Sequence, residues 1–175
     1  MISVTKQRNG GPTMSFPLPF VPKHDYHTGG RRYGAARPNG RKHAGCDLLA
    51  PPGTPVMAVR PGLILKSPYK FYQAKNGAWT YALEVKHREG FVVRYTELDR
   101  CADGIKTGVS VAEGQTIGYV GAALMLHFEL YAGTEHGPLT DRGRVGFQRR
   151  ADLLDPTSFL DSLCTELYCK MAVVR

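Results

Sequence analysis

Two histidines and one aspartate are the side chains of this sequence best suited to metal chemistry. His43 and Asp47 lie four residues apart in the run HAGCD, and His127 lies in the run LMLHFELY. Two imidazoles and a carboxylate suit Zn²⁺, and three protein ligands leave open the fourth position that a catalytic zinc site needs. Zinc in such a site polarises a carbonyl group and lowers the pKa of water to about 7. Composition alone makes this set unspecific, because a chain with six histidines offers several such triples.

A turn that enters a strand is the element expected to bring His43 and Asp47 together. A spacing of four would place both side chains on one face of a helix, but Gly45 and the run Pro51-Pro52-Gly53 argue against a helix here. The chemistry therefore depends on a loop and a β-strand.

His127 lies in the last of six runs that predict strands. Alternation along that run places His127 on one face with Met125 and Glu129, and places the intervening apolar side chains on the other face. Glycine, proline and Asn-Gly punctuation separates the six runs. They cover residues 55–59, 62–66, 81–87, 91–98, 116–120 and 124–131.

The fold class predicted from these runs is mainly β. Asn76-Gly77 and Glu89-Gly90 indicate hairpin turns, and residues 23–45 form a long loop rich in glycine and basic residues. Only residues 152–163 predict a helix, with Asp155 or a neighbour capping it. From these elements we expect a mostly antiparallel β domain with long loops and a short C-terminal helix.

The length of 175 residues fits one domain. We expect a flexible N-terminal segment at 1–15, a single domain at 16–163 and a C-terminal tail at 164–175. The first residues lack the apolar region of a secretory signal, and no apolar run approaches the roughly 20 residues that span a bilayer. We expect no signal peptide, no stable membrane insertion and a monomeric protein.

The formal net charge of +8 and the sequence pI of about 9.5 favour polyanionic partners. Basic residues are densest between 31 and 42, just before the first candidate ligand. A nucleic-acid binder is one hypothesis, but the sequence has no helix-turn-helix, zinc-finger or aromatic-rich RNA motif. We therefore expect no nucleic-acid partner, and an anionic cell-wall polymer fits the charge equally well.

The four cysteines do not form a C-x2-C pair, so a structural zinc knuckle is not predicted. Cys164 and Cys169 are close enough in sequence to pair locally, whereas Cys46 and Cys101 can pair only if the fold brings them together. Free buried thiols are the preferred interpretation.

Four segments together resemble one enzyme family. In order, over about residues 41–160, they are RKHAGCDLLAPPGTPVMAVRPG, VAEGQTIGYVG, LHFELY and LLDPTSFL. They resemble the lysostaphin-like zinc metallopeptidases, whose motifs are R-x-H-x-G-x-D followed by A-P-x-G-T-P-V, then G-Q-x-I-G-x-x-G, H-x-H-F-E and D-P-x-x-x-L. The resemblance implies a compact antiparallel β fold whose groove holds one zinc ion. By position, it assigns His43, Asp47 and His127 as the zinc ligands.

Two departures from the family pattern affect catalysis. The first histidine of the family's H-x-H motif is usually catalytic, and this chain has Met125 there, which cannot accept a proton usefully. The family's second catalytic histidine lies in a Y-x-H-L strand, which here reads Tyr95-Thr96-Glu97-Leu98. Glu97 is therefore the predicted general base, since glutamate does this work in other zinc peptidases. The alternative is a site that binds zinc but hydrolyses poorly, with Glu97 paired to Arg94 or Lys86.

Further side chains are candidates for contact with substrate. His136 follows the closing strand on a loop, and Tyr95 carries a hydroxyl that can donate to an oxyanion. Arg37 and Asn39 lie in the loop before the first ligand, where they are predicted to touch substrate. An ordinary structural role is the competing interpretation for each.

The resemblance implies a zinc-dependent peptidoglycan endopeptidase that hydrolyses peptide cross-links of the bacterial cell wall. Its partner would be peptidoglycan, met in the periplasm or outside the cell after phage lysis or delivery by a secretion machine. Alternatives are a catalytically silent wall-binding or scaffold protein on the same fold, and a non-haem iron oxygenase. The oxygenase usually uses H-x-D/E spacing, and His43 and Asp47 are too far apart for it.

Overall fold

Antiparallel strands dominate the computed structural model, which describes residues 15–74 and 77–173. Nine strands lie in these residues: β1 (Cys46–Leu49), β2 (Pro55–Met57), β3 (Gly62–Gln73), β4 (Trp79–His87), β5 (Val92–Cys101), β6 (Ser110–Val111), β7 (Thr116–Val120), β8 (Met125–Tyr131) and β9 (Leu153–Leu154). One helix, α1 (Thr157–Val173), ends the described chain. The predicted fold class is confirmed.

The strand order places β8 at the centre of the functional region. The main sheet runs β1-β8-β5-β4-β3-β6, β7 pairs with both β2 and β5, and β9 pairs with β8. All of these pairings are antiparallel. Since β8 lies between β1 and β5, the strand of His127 is flanked by the strands of Asp47 and Glu97.

The hydrophobic core lies against the apolar face of β8. Leu126, Phe128 and Leu130 are buried there, as the alternation predicts. Each such side chain contributes about 1.5–3 kcal/mol through burial. Leu160 and Leu163 of α1 also join this core, so the helix covers the side of the sheet opposite to His127 and holds β8 in place.

All six predicted strands are present. The structure extends the second run into the 12-residue β3 and adds the short strands β1, β6 and β9, whose two to four residues are too few to show a period. The Glu89-Gly90 turn is confirmed, with the Gly90 N–H donating to the His87 carbonyl at 2.9 Å. The other predicted turn joins β3 to β4, but its Asn76 lies outside the described residues.

The predicted helix is placed too early and is too short. The helix begins at Thr157 and continues to Val173, whereas we predicted residues 152–163. Leu153 and Leu154 instead pair with Tyr131 and Leu130 as an edge strand. The predicted cap is correct, since the Asp155 carboxylate accepts from the Thr157 N–H at 2.9 Å. The predicted tail from 164 therefore begins inside the helix, while 1–14 lies outside the described residues.

Cys46, Cys101 and Cys164 are free thiols. Cys46 is fully buried, and burial raises its thiol pKa to about 11. The three thiols are free as predicted, but Cys101 and Cys164 are only partly buried. The Cys169 side chain lies outside the described part of the chain. In residues 15–74 and 77–173, no helix has the length and apolar character needed to cross a membrane.

Candidate active site

Strand register brings the three predicted metal ligands together. In the β1–β8 ladder Asp47 lies directly opposite His127. His43 reaches them from the loop that enters β1, as the sequence predicts, and Gly45 makes this approach possible. A Cβ atom at Gly45 would collide with the carbonyl group of Phe128 and lie 3.1 Å from Cε1 of His127. The loop can therefore pass close to β8 only with glycine at this position.

Three ligand atoms converge in this cluster. Nε2 of His43 lies 3.0 Å from Oδ1 of Asp47 and 2.9 Å from Nδ1 of His127. The same Nδ1 atom lies 2.8 Å from Oδ1 of Asp47. All three residues are buried, and one donor atom from each fits within a span of 4.8 Å. This geometry fits one small cation bound by two nitrogen atoms and one oxygen atom.

In each histidine ring, a hydrogen bond on the side away from the cluster determines which nitrogen atom is available to a metal ion. Nδ1 of His43 donates to the Arg32 carbonyl at 2.8 Å, and Nε2 of His127 donates to Oε1 of Glu129 at 3.0 Å. A neutral ring that donates outward presents an unprotonated nitrogen inward. Nε2 of His43 and Nδ1 of His127 are thus oriented as metal ligands, in the arrangement that supports ligating histidines.

Charge within the cluster favours a cation. Burial alone would lower the pKa of His127, but its bonds to Asp47 and Glu129 outweigh burial and raise the pKa to about 9. Burial opposes ionisation of Asp47 as well, yet the two histidines hold the pKa of that carboxyl well below its usual range. The buried carboxylates of Asp47 and Glu129 thus make this cluster favourable for positive charge.

Behind His127 lies a buried ionic network that the sequence did not reveal. Oε2 of Glu129 accepts from Nε of Arg94 at 2.9 Å and from Nη2 of Arg94 at 2.5 Å. Nε of Arg149 donates to Oε1 at 3.0 Å, and the Tyr131 hydroxyl donates to Oε2. Arg94 and Glu129 are 1% and 0% exposed. Burial opposes the charge of Glu129, but these cations keep the pKa of its carboxyl low, so the group stays ionised and orients His127.

Replacement of Arg94 by methionine should destabilise the fold severely. The change leaves the Glu129 charge buried with one arginine fewer, and removing one partner of a buried ion pair costs about 3–5 kcal/mol. We expect a drop of that size in the free energy of unfolding, measured by urea titration. Arg100→Met is the matched control, because Arg100 is 62% exposed, pairs with the exposed Asp99 and lies 4.2 Å over the Tyr119 ring, so it should change stability by about 1 kcal/mol or less. Equal losses in both variants would contradict the buried network.

Glu97 lies one residue beyond the pairing partner of His127, since Thr96 faces His127 in the β5–β8 ladder. Its backbone is left-handed, with φ at 66°, a conformation that costs a non-glycine residue on the order of 1–3 kcal/mol. One carboxylate oxygen, Oε2, is buried and has no hydrogen-bond partner among the described residues. Burial raises the pKa of Glu97, and the charge of His127 and a bond from Thr80 offset this only in part. Arg94 and Lys86 are not its partners, because Arg94 pairs with Glu129 and Lys86 is exposed on β4.

The remaining predicted residues divide into two groups. Arg37 and Asn39 lie near the site: Nη2 of Arg37 is 3.6 Å from Oδ2 of Asp47, and Asn39 lines a groove with Glu97. Tyr95 lies instead in the core, fully buried, with its hydroxyl accepting from the Val59 N–H at 3.1 Å. Its predicted contact with an oxyanion is therefore not supported. His136 is exposed after β8 and is not among the residues that line the groove.

A groove of about 750 Å³ runs past Glu97. Its walls come from three segments: the turn around Asn39, the far end of β3 and the loop at 140–149. Glu97 is the acidic member of the lining, and the three candidate ligands are not among the lining residues. Glu97 connects the groove to the ligand cluster along the chain, because it follows Thr96, the pairing partner of His127.

Comparison with known proteins gives consistent matches. The family model described as Peptidase family M23 matches residues 41–138. Peptidoglycan DD-endopeptidase ShyC of Vibrio cholerae serotype O1 is 35% identical over 106 residues, which are 57% of this chain and 23% of ShyC. The chain thus spans less than a quarter of that relative.

Solved structures share the fold. The solution structure of lysostaphin has a TM-score of 0.58 at 22% identity, covering 87% of this chain and 54% of that one. The structure of LytU has a TM-score of 0.55 at 24% identity, and the match covers 79% of this chain and 90% of LytU. The catalytic domain of lysostaphin from Staphylococcus simulans has a TM-score of 0.53 at 25% identity, and the match covers 74% of this chain and 89% of that domain.

Proposed function

This chain belongs to peptidase family M23, and we propose that it is a zinc-dependent endopeptidase that hydrolyses peptide cross-links of bacterial peptidoglycan. The family resemblance in the sequence motifs is thereby confirmed. The convergence of His43, Asp47 and His127 within 4.8 Å is the observation that carries the function. The name of ShyC, a peptidoglycan DD-endopeptidase, supports the choice of substrate.

His43, Asp47 and His127 are the residues that would hold zinc. Their two imidazoles and one carboxylate match the donor set of a catalytic site with one open position. When bound, zinc polarises the scissile carbonyl and makes water more acidic. Glu129 keeps the His127 ring oriented through the bond at Nε2, and Arg94 and Arg149 keep Glu129 charged. The protein therefore holds its ligands in place before a metal arrives.

Glu97 is the group that we assign to proton transfer. As water oxygen bonds to the carbonyl carbon, the Glu97 carboxylate takes one water proton. It then passes this proton to the leaving nitrogen as the C–N bond breaks. Its buried oxygen has no competing partner in the described residues, and a raised pKa makes the carboxylate a stronger base than an exposed glutamate.

One observation favours a second candidate function. Met125, at the start of β8, takes the place of a histidine that is usually catalytic in the family, and its thioether cannot carry a proton. A protein that binds zinc and the cell wall without efficient hydrolysis is therefore the alternative. Either function is exercised at the wall, in the periplasm or outside the cell, and phage lysis or a secretion machine is our hypothesis for its delivery.

Digestion of purified peptidoglycan tests the proposed function. Zinc-loaded protein should hydrolyse the cross-links between stem peptides, and mass spectrometry after enzymatic digestion of the glycan strands should show fewer cross-linked dimers. Removal of zinc by a chelator should abolish hydrolysis, and added zinc should restore it, since the ligand cluster is preformed. Sedimentation with the insoluble wall in the same samples measures binding separately. Wall binding without cross-link hydrolysis, across walls of different cross-link chemistry, would support the alternative function.

A further inference from the structure

The groove beside Glu97 is strongly cationic. Arg41, Lys70, Arg142 and Arg149 line it, and Glu97 is the acidic side chain among its lining residues. We call this surface the cationic groove. A site that also holds a metal cation is an unfavourable place to gather positive charge, unless the ligand is anionic.

Two of these cations have neither an acidic nor an aromatic partner among the described residues. Arg149 is committed to Glu129, and Nζ of Lys70 lies 5.1 Å from the centre of the Trp79 ring. Arg41 and Arg142 are exposed and form no ion pair with any side chain in the described part of the chain. The carboxylate of the neighbouring Asp141 instead accepts from the Gly143 N–H at 3.0 Å.

Arg41 and Arg142 line both the cationic groove and a neighbouring cavity. A second cavity of about 260 Å³ shares both arginines with the cationic groove. Backbone bonds tie their loops together: the Lys42 N–H donates to the Gly146 carbonyl at 3.1 Å, and the Asp141 N–H donates to Gln148 at 3.2 Å. The two guanidinium groups are thus presented from connected loops at one boundary.

We propose that the cationic groove binds a free carboxylate of the peptide substrate next to the cleaved amide, with Arg41 and Arg142 as the specificity-determining residues. This inference rests on the proposed function of the site, and it adds a requirement for substrate charge. Guanidinium groups pair with carboxylates through two parallel hydrogen bonds, which select the ionised carboxyl group over a neutral amide. Arg142 lies beyond residues 41–138, which the family model matches.

A matched pair of substrates tests the inference. One probe is a dimer of stem peptides cross-linked from D-alanine to diaminopimelate, with the diaminopimelate carboxyl group free. The other probe is the same dimer with that carboxyl group amidated. Wild-type protein should show kcat/KM about tenfold higher, or more, for the free acid, because bonds to a charged group are the stronger ones. The double variant Arg41→Gln/Arg142→Gln should hydrolyse both probes at nearly the rate that wild type shows for the amide.

Arg88→Gln is the matched control, because Arg88 is an exposed arginine that lines a different hollow, beside His87. It should keep the full discrimination. Circular dichroism of each variant checks the fold, and the wild-type comparison of the two probes requires no variant at all. Equal kcat/KM for free acid and amide in wild type would overturn the inference while leaving the proposed function intact.

A binding measurement distinguishes failure of the proposed endopeptidase function from failure of the proposed carboxylate site. Fluorescence anisotropy with labelled versions of both probes reports recognition even if no bond is cut. Tighter binding of the free acid by wild type, lost in the double variant, supports carboxylate recognition whether or not hydrolysis occurs. If neither probe is cleaved and both bind equally, then both the endopeptidase function and the carboxylate site are wrong.

Discussion

The variant His127→Ala is expected to lose both zinc binding and peptidoglycan hydrolysis. The change removes one of three ligands and leaves Oδ1 of Asp47 and Oε1 of Glu129 without the ring that joins them. We expect less than one tenth of the wild-type zinc content by atomic absorption. We also expect a loss of about 10³-fold or more in the rate of cross-link hydrolysis, since polarisation of the carbonyl is lost with the metal.

His136→Ala provides the comparison for that variant. His136 is exposed and lies outside the ligand cluster, so its loss should leave zinc content and rate within about twofold of wild type. Retention of stoichiometric zinc by His127→Ala would show that the metal is held elsewhere. Loss of zinc with unchanged hydrolysis would show that zinc is not needed for the reaction.

The strands of this protein could be predicted because short β-like runs are bounded by glycine and proline, and in the last run the side chains also alternate. In β8 the buried Leu126, Phe128 and Leu130 alternate with polar positions, and this period identifies both the strand and the face of His127. The helix was misplaced because Leu153 and Leu154 read as helical, whereas β8 offers them an edge on which to pair. Tertiary pairing of this kind leaves no local signal.

The candidate metal cluster could be predicted from the sequence because four family motifs occur in order. Composition alone was too unspecific to identify the ligands. The structure adds the cause, since the β1–β8 register places Asp47 opposite His127. The ionic network behind the cluster was not readable, because Arg94, Glu129 and Arg149 are separated by 20 residues or more. The alternation in β8 did place Glu129 on the face of His127, which was the available signal.

The cationic groove joins residues from three distant parts of the chain. The density of basic residues at 31–42 indicated an anionic partner. It did not show which basic side chains are available to a ligand and which already contact other side chains of the protein. Arg37 approaches Asp47, and Lys42 lies 5.8 Å over the Phe147 ring. Arg41 lines the groove and has no ion pair among the residues that the structure describes. Only the folded arrangement assigns different roles to these neighbours.

The variant Glu97→Gln is expected to keep zinc and to lose hydrolysis. Glutamine preserves the shape of the side chain and cannot accept a proton, and general base catalysis contributes about 10²–10⁴-fold. We therefore expect cross-link hydrolysis to fall by about that factor, at unchanged zinc content. Glu135→Gln is the control, since it makes the same chemical change on an exposed loop after β8, and it should hydrolyse cross-links at the wild-type rate.

The Glu97→Gln substitution should lower activity without lowering the stability of the metal-free protein. Burial raises the pKa of Glu97 in the folded state, so the folded protein holds this proton to higher pH than the unfolded chain does. Ionisation of Glu97 thus lowers the stability of the metal-free protein as pH rises through its folded pKa. Glutamine removes that cost, and metal-free Glu97→Gln should melt no lower than wild type at pH 7 by thermal denaturation. A structural role for the carboxylate predicts a lower melting temperature instead, and an unchanged rate of hydrolysis would exclude Glu97 as the base.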